Sequence, residues 1–565
     1  MNSSIAAFIA VLAKLFQSFG MMLLSIWRWE SASVTELRER MDKSVTYDEW
    51  RGYARMLDEE EALGQWREAP ELRINLDLVL ARVRLLAQKK REESPEELLK
   101  AIRGDIHRST LGITNPSLYP YRTAAKSSIS TYVNLMTHLI RSIAANDLLE
   151  VAARYRALKD MEVAYGKSAL MLHGGVALGA YHLGVIKGLL NAKLLPKVIF
   201  GNNTGALVAA CICCVEDIRP VLDGSGVNFD AFAKRGSSGS LKRKWDRLWN
   251  EGVLMDVNVV LQFAKDNLGN ITFAEAYEKT GYALNINVCR RVGGGSGNLG
   301  SWLLNHLTTP NVLVYTAAVA SCETAMVYGP TPLLARSISG NIVPFDPPAM
   351  QFCASSTEFH INDAVRRLQE LFHVKLTIVS ECTVGRLPFL CLGHRNDLLS
   401  RIGHFFTEEV WRGLAACSRL PMFQSRLTAT LQNISDRING DLVIFPVSTV
   451  GDLLKLLNNP DQHLLHHCIL RGEQQLWSRL PLLKSHIAIE AALHDAIRSI
   501  EERHNKDIIH RKTRQGSPLP SSLRRPSIIR VDDDDDVMVQ DMTISPPVPL
   551  HITPPESVTP TDEQT

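Results

Sequence analysis

Two glycine-rich stretches hold the residues whose types and spacing suit chemistry. Residues 201–205 read GNNTG, between the buried-looking run Val198–Phe200 and a helical stretch of small residues. Strand, sharp turn and helix in that order form the setting of G-x-S-x-G, where a strained turn presents a nucleophile at its apex. Here the apex is Asn203. A carboxamide has neither the hydroxyl nor the thiol that acyl transfer requires. Residues 173–184 read HGGVALGAYHLG, directly after another strand-like run. Gly174, Gly175 and Gly179 leave backbone N–H groups uncovered near a helix start, where such donors hold an oxyanion or a phosphate. No phosphate-loop lysine follows, and no acidic residue is convincingly placed for a dinucleotide ribose. A glycine loop and an elbow at this spacing, with Gly201 and Gly205 flanking the apex, form the frame of an ester-cleaving site that lacks its nucleophile.

The surrounding pattern supplies elements to position that frame. Residues 35–165 are charged and helical, with apolar spacing near 3.6. Strand-like runs then follow at Ala169–Leu172, Val198–Phe200, Ala283–Val288, Val312–Tyr315 and Leu376–Val379, several of them separated by helical stretches. That alternation implies an α/β fold with a mostly parallel sheet covered by helices. Helix returns from about Asn396 to His504, interrupted by the apolar run Asp441–Val447. The organisation expected is an apolar membrane or lipid-surface segment at 1–30, a helical region at 31–165, and the α/β domain at 166–395. A helical region at 396–505 and a tail at 506–565 complete it. The tail is rich in Pro, Ser, Thr and Asp, includes Asp532–Asp536, and buries too little apolar surface to offset ordering entropy. Its LRRPS, ending at Ser527, matches a basic-directed kinase site.

The formal net charge of +2 over 565 residues excludes recognition of nucleic acid by bulk charge. Ten cysteines without paired C-x-x-C motifs indicate reduced thiols in a cytosol-facing protein, not a zinc site. Cys211, Cys213 and Cys214 read as small hydrophobes of a helix. His463, His466, His467 and Cys468 lack acidic ligands at matching spacing and read as a packed helix. Residues Ile5–Trp29 are almost wholly apolar and, at about 25 residues, long enough to span a bilayer. Spanning would bury Lys14 at a cost of roughly 2.5–3.5 kcal/mol. An interfacial helix, or a hairpin bent near Ser18 and Gly20, lets Lys14 reach headgroups. Trp245, Trp249, Leu254 and Met255 lie near a basic segment that reads either as a lipid-facing patch or as a packed helix.

With these motifs in view, the chain resembles the patatin-like phospholipase family, and most closely its fungal and plant triacylglycerol lipases of lipid droplets. The resemblance runs over roughly residues 45–505. It is carried by YDEWRGYARMLDEEEALGQW, HRSTLGITNPSLY, the stretch from YGKSALMLHGG to KVIFGN, LTTPNVLVYTAAVASC and ILRGEQQLWSRLPLLKSHIAIEAALHDAI. It implies a patatin-like fold, no cofactor, and a Ser–Asp dyad whose serine sits at the elbow and whose aspartate sits in an Asp-Gly motif before a helix. That helix matches Arg366–Phe372, RRLQELF. Counting back from it, the Asp-Gly segment falls on Ser356, Thr357 and Glu358, and no Asp-Gly pair lies nearby. Asp363 reads as an N-cap, and His182 as structural. Thr204, Ser355, Ser356 and Glu358 are the residues nearest to a substitute dyad. The expected role is a non-hydrolytic lipase homologue that binds an acylglycerol or phospholipid surface, or an active lipase partner. The alternative is a working lipid-ester hydrolase or acyltransferase that uses other residues.

Overall fold

A computed structural model of the chain describes residues 32–61, 63–68, 76–91, 95–108, 112–115, 118–146, 148–174, 179–225, 257–291, 299–322, 331–345, 361–382, 438, 440–445 and 462–514. The chain falls into two units, Met1–Ile500 and Glu501–Thr565, and the fold below is that of the first. The expected lipid-surface segment at 1–30, the residues around Trp245, Ser355–Glu358 and Ser527 lie outside the described residues.

Among the described residues, seven helices precede the first strand. They are α1 (Ala32–Lys43), α2 (Tyr47–Glu60), α3 (Leu63–Glu68), α4 (Leu76–Arg91), α5 (Pro95–Asp105), α6 (Ser127–Ala144) and α7 (Val151–Tyr165). Strands and helices then alternate: β1 (Lys167–Gly174), α8 (Ala180–Asn191), β2 (Val198–Asn202), α9 (Thr204–Cys213), α10 (Arg219–Leu222), α11 (Val257–Leu268), α12 (Phe273–Thr280) and β3 (Ala283–Arg291). Next come β4 (Leu299–Asn305), α13 (Val314–Ser321), β5 (Leu334–Arg336), β6 (Ile342–Pro344), α14 (Ile361–Phe372), β7 (Val374–Cys382) and β8 (Leu442–Ile444). Two helices close the series, α15 (Gln462–Trp477) and α16 (Leu480–Arg514).

The main sheet has the order β4-β3-β2-β1-β7-β8. All its pairings are parallel except β3 with β4, which is antiparallel at the edge. The fold is therefore the expected α/β arrangement, a mostly parallel sheet flanked by helices. In β1 every residue after Lys167 is buried, as a central parallel strand covered on both faces demands. Helix α14 lays one stripe on the sheet. Its Ile361, Ala364, Val365, Leu368 and Phe372 pack with Ala169, Met171, Val198, Phe200, Val374 and Val379. These positions recur at helical spacing, so a single face is apolar.

Two expectations about elements are corrected. The run Val312–Tyr315 is not a strand. Val314 begins α13, whose eight residues are all buried, and Val312 and Leu313 make only isolated bridges. A short helix buried on every side has no periodicity to separate it from a buried strand. The last helix runs to Arg514, beyond the Lys506 at which the tail was expected to start.

The N- and C-terminal helices clasp the α/β core by close contact. Trp50 of α2 lies 5.8 Å from Trp477 of α15, centroid to centroid. Helices α8 and α15 cross where Gly184 meets Gly472. A Cβ on Gly184 would sit 2.0 Å from the Ile469 carbonyl oxygen, and one on Gly472 2.3 Å from that of Tyr181. Arg108 ties the N-terminal helices to β1 and α16. Its guanidinium donates to Glu490 at 2.7 Å, to the Gly166 carbonyl at 2.8 Å and to Ser168 Oγ at 3.2 Å. The Ser168 N–H donates to the other Glu490 oxygen at 2.8 Å. Removing one partner of so buried a pair typically costs about 3–5 kcal/mol, because the other is left uncompensated.

The helix crossing gives a paired expectation. Gly472→Ala forces α15 away from α8, an overpacking cost of about 1–3 kcal/mol, and lowers the midpoint of thermal unfolding by several degrees. Gly52→Ala, in α2 with nothing within 4 Å of the added Cβ, leaves the midpoint unchanged or raises it, as alanine is the better helix former. Differential scanning calorimetry of the two variants checks the contrast. Equal effects would remove the crossing as a constraint.

Candidate active site

The elbow at residue 203 is built by steric exclusion. Strand β2 ends at Asn202 and α9 begins at Thr204, so one residue makes the whole reversal. Asn203 sits at φ 55° and ψ −133°, a conformation that costs a non-glycine residue on the order of 1–3 kcal/mol. Its neighbours make room for it. A Cβ on Gly201 would lie 2.5 Å from Ala206 Cα, and one on Gly205 would lie 2.2 Å from the Leu172 carbonyl oxygen. Only glycine permits the helix to start this close to β1 and β2. Two hydrogen bonds fix the turn. The Ala206 N–H donates to the Asn203 carbonyl at 2.9 Å, and the Asn203 N–H donates to Ser321 Oγ at 3.1 Å.

The glycine loop meets this turn at the carboxyl ends of β1 and β2, where open α/β sheets place their ligands. Gly174 closes β1 with φ 77°, and Gly179 opens the next helix. A Cβ on Gly179 would come 2.7 Å from the Thr204 methyl, so the two motifs are in contact. Gly175 lies outside the described residues. His182 anchors the loop from beneath. Its Nε2 donates to the Gly174 carbonyl at 3.3 Å, and its Nδ1 lies 2.8 Å from Ser380 Oγ. A carbonyl can only accept, so Nε2 carries the proton and Nδ1 accepts from the serine. Burial pushes the His182 imidazole down to about 4. It stays neutral at physiological pH and holds backbone, in keeping with a structural role.

Beneath the elbow a row of amides fixes the strands against one another. Asn287 donates to Asn202 at 3.0 Å, and Asn202 donates to His173 Nδ1 at 3.1 Å. Asn305 donates to Asn285 at 3.0 Å, which links β4 to β3. All five are buried. Because each amide finds its partner only in one pairing, the row opposes a slip of register that would tilt the elbow.

Ser321 is the residue that sequence reasoning missed. It lies 118 positions from Asn203, at the end of α13, and is buried. No motif marks it; its position follows from the packing of α13 against α9. Its hydroxyl accepts from the elbow, and among the described residues no imidazole or carboxylate bonds it. Thr204 points its methyl at Gly179 from the first position of α9. Asp363 is not an N-cap. It is the third residue of α14 and pairs with Arg366 at 2.6 Å, where its charge also suits the helix dipole. The cysteines that follow the elbow on α9 offer no thiolate. Burial pushes Cys211 up to about 12 and raises Cys213 well above the ordinary thiol range. On α15, Cys468 is buried and His466 Nδ1 bonds the Gln462 carbonyl within its own helix.

A profile described as patatin-like phospholipase matches residues 170–343, and one described as a domain of unknown function, DUF3336, matches residues 26–162. "Triacylglycerol lipase SDP1L" of Arabidopsis thaliana is 26% identical over 487 residues, covering 81% of this chain and 58% of that protein. "Triacylglycerol lipase ptl3" of Schizosaccharomyces pombe is 26% identical over 493 residues, covering 83% of this chain and 99% of that one. "Triacylglycerol lipase 5" of Saccharomyces cerevisiae is 28% identical over 509 residues, covering 83% and 66%. The chain thus spans between 58% and 99% of these relatives' lengths.

The neutral, buried His182 carries a pH expectation. Its folded value of about 4 lies below the ordinary 6.5, so the unfolded chain binds the extra proton between these values. Stability is full above about 6.5 and falls as pH drops through 4, by on the order of 3 kcal/mol from this group. His486, pushed down to about 4 by burial and then by Arg108, contributes with the same sign. Denaturant titrations across this range should show that slope, and His182→Gln should flatten it by the share of one proton. An unchanged slope in the variant would mean His182 is not the buried neutral base described.

Proposed function

We propose that this chain, which carries a patatin-like phospholipase domain, acts in neutral-lipid metabolism as a triacylglycerol-lipase homologue that binds lipid without hydrolysing it. The observation that carries the reading is the elbow itself. Its strained backbone, both flanking glycines and its contact with the glycine loop are kept, while the apex is a carboxamide. In a serine hydrolase, loss of the nucleophile costs on the order of a millionfold in turnover. Asn203 can instead donate a hydrogen bond to an acyl carbonyl that rests against the loop amides. The names of the relatives support an acylglycerol, or a surface that contains one, as the ligand. The apolar stretch Ile5–Trp29 supports docking at a membrane or a lipid droplet. No helix among the described residues is long and apolar enough to cross a membrane, and that stretch lies outside them. An active lipase is a second candidate partner on the same surface.

One observation favours the rival reading of an active hydrolase or acyltransferase. A buried alcohol, Ser321, touches the apex residue. Against it stands the lack of a base on that alcohol among the described residues.

A single experiment separates the two. The purified full chain is incubated with triolein emulsified in phospholipid, floated on a density gradient and assayed for released fatty acid. The expected result is flotation with the emulsion and no release above a mock preparation. Release that disappears in Ser321→Ala or Glu358→Ala would overturn the non-hydrolytic reading. Failure of the wild type to float would remove lipid binding.

A further inference from the structure

The elbow that aims a side chain outward has a second chemical consequence when that side chain is asparagine. A five-membered succinimide forms when the backbone nitrogen of the next residue attacks the asparagine Cγ. The ring contains Cα, Cβ, Cγ, the attacking nitrogen and the backbone carbonyl carbon. Closure therefore needs Cβ and that nitrogen nearly eclipsed about the Cα–C bond. At an L-residue Cβ stands about 120° from N around this bond, so eclipsing requires ψ near about −120°. Neither ordinary region supplies it, since α residues hold ψ at about −20 to −70° and β residues at about +100 to +180°. Asn203 stands at ψ −133°.

We propose that Asn203 is a self-modification site, at which the folded chain converts its own asparagine to aspartate and isoaspartate through a succinimide. The step balances with water as the one co-reactant. The Thr204 backbone nitrogen loses its proton and bonds to the Asn203 Cγ; the side-chain nitrogen takes up a proton and leaves as ammonia. Water then opens the ring. Cleavage of the bond from Cγ to the Thr204 nitrogen gives aspartate, and cleavage of the bond from the backbone carbonyl carbon gives isoaspartate.

Three further features of the structure favour the closure. Thr204 is the first residue of α9, and the partial positive charge at a helix start stabilises a backbone nitrogen that is losing its proton. Among the described residues no acceptor holds the Thr204 N–H. Asn203 and Thr204 are both part-exposed, so water reaches the ring once it forms. Asn202, one residue earlier, is the internal control. It ends an ordinary strand, is buried, and spends its amide on His173 and Asn287. Folding commonly slows this reaction by holding asparagines away from closure; here the fold holds the backbone torsion ψ close to the value that closure needs. The branched Thr204 side chain slows attack in the unfolded chain, which lowers the background. The product changes the site from a neutral amide donor to an anion at a helix start, or, as isoaspartate, adds a backbone methylene to the turn. This inference stands on the geometry of residue 203 and not on the lipid-binding reading.

The test compares the full-length wild-type chain, folded, with the same chain held unfolded in guanidinium at one mildly alkaline pH. Peptide mapping by mass spectrometry follows conversion at positions 202 and 203 over time. The expected result is conversion confined to Asn203 and faster in the folded chain by about tenfold or more, the advantage of a held reactive geometry. In Asn203→Gln, whose ring would need a sixth member, the conversion at this position is lost. Equal or slower conversion in the folded chain, or conversion centred on Asn202, would overturn the proposal.

Discussion

One residue reverses the chain between a fully buried strand and an apolar helix, and the candidate site depends on that turn. The backbone at 203 cannot relax to an ordinary conformation without moving α9 off β1, since Gly205 already touches the Leu172 carbonyl. Nor can the flanking positions accept a Cβ, because the helix axis and the strand end occupy the same few ångströms. The strain is held by burial on both sides: Val198–Phe200 before the turn, and Ala206, Ala209 and Ala210 after it. A conformation that costs a few kcal/mol persists where the surroundings over-determine it.

The rest of the architecture supports the same point from a distance. His182 fixes the Gly174 carbonyl and Ser380, and so ties the glycine loop to β7 across β1. The amide row through Asn287, Asn202 and His173 holds three strands in register immediately below the turn. The glycine crossing of α8 and α15 lets the C-terminal helices press on the helix that follows the loop. Arg108 joins the N-terminal helices to the start of β1 through Gly166, Ser168 and Glu490. A carboxamide at the apex disturbs none of these contacts, so the frame is stable with or without a nucleophile. That separation of frame from chemistry is what makes a binding role for a lipase-like site physically reasonable.

Much of this was legible in the sequence, and what was not has physical causes. The runs at 169–172, 198–200, 283–288 and 376–379 are mostly apolar, and each lies in a strand of the main sheet. RRLQELF carries its apolar stripe at helical spacing and forms α14. The glycines of GNNTG announce a close approach, and their neighbours explain why. The run at 312–315 misled because an all-buried helix start has no periodicity. The edge strand Leu299–Asn305 follows a glycine-rich stretch, and only its pairing with β3 defines it. Ser321 was invisible because its role is a contact across 118 residues. The N-cap reading of Asp363 failed by a small shift in where the helix begins, the kind of boundary that local pattern locates least well.

The proposed role rests on the distinction between a cleft shaped for ester cleavage and a side chain able to perform it. An activated serine in such a cleft attacks electrophilic phosphorus whatever lipid it prefers, so the question can be asked without a substrate. The most direct measurement is labelling of the intact wild-type chain with a fluorophosphonate probe, with any adduct mapped to its residue by mass spectrometry. The account predicts no adduct on any serine. An adduct on Ser321, or on another hydroxyl at the carboxyl ends of β1 and β2, would contradict it.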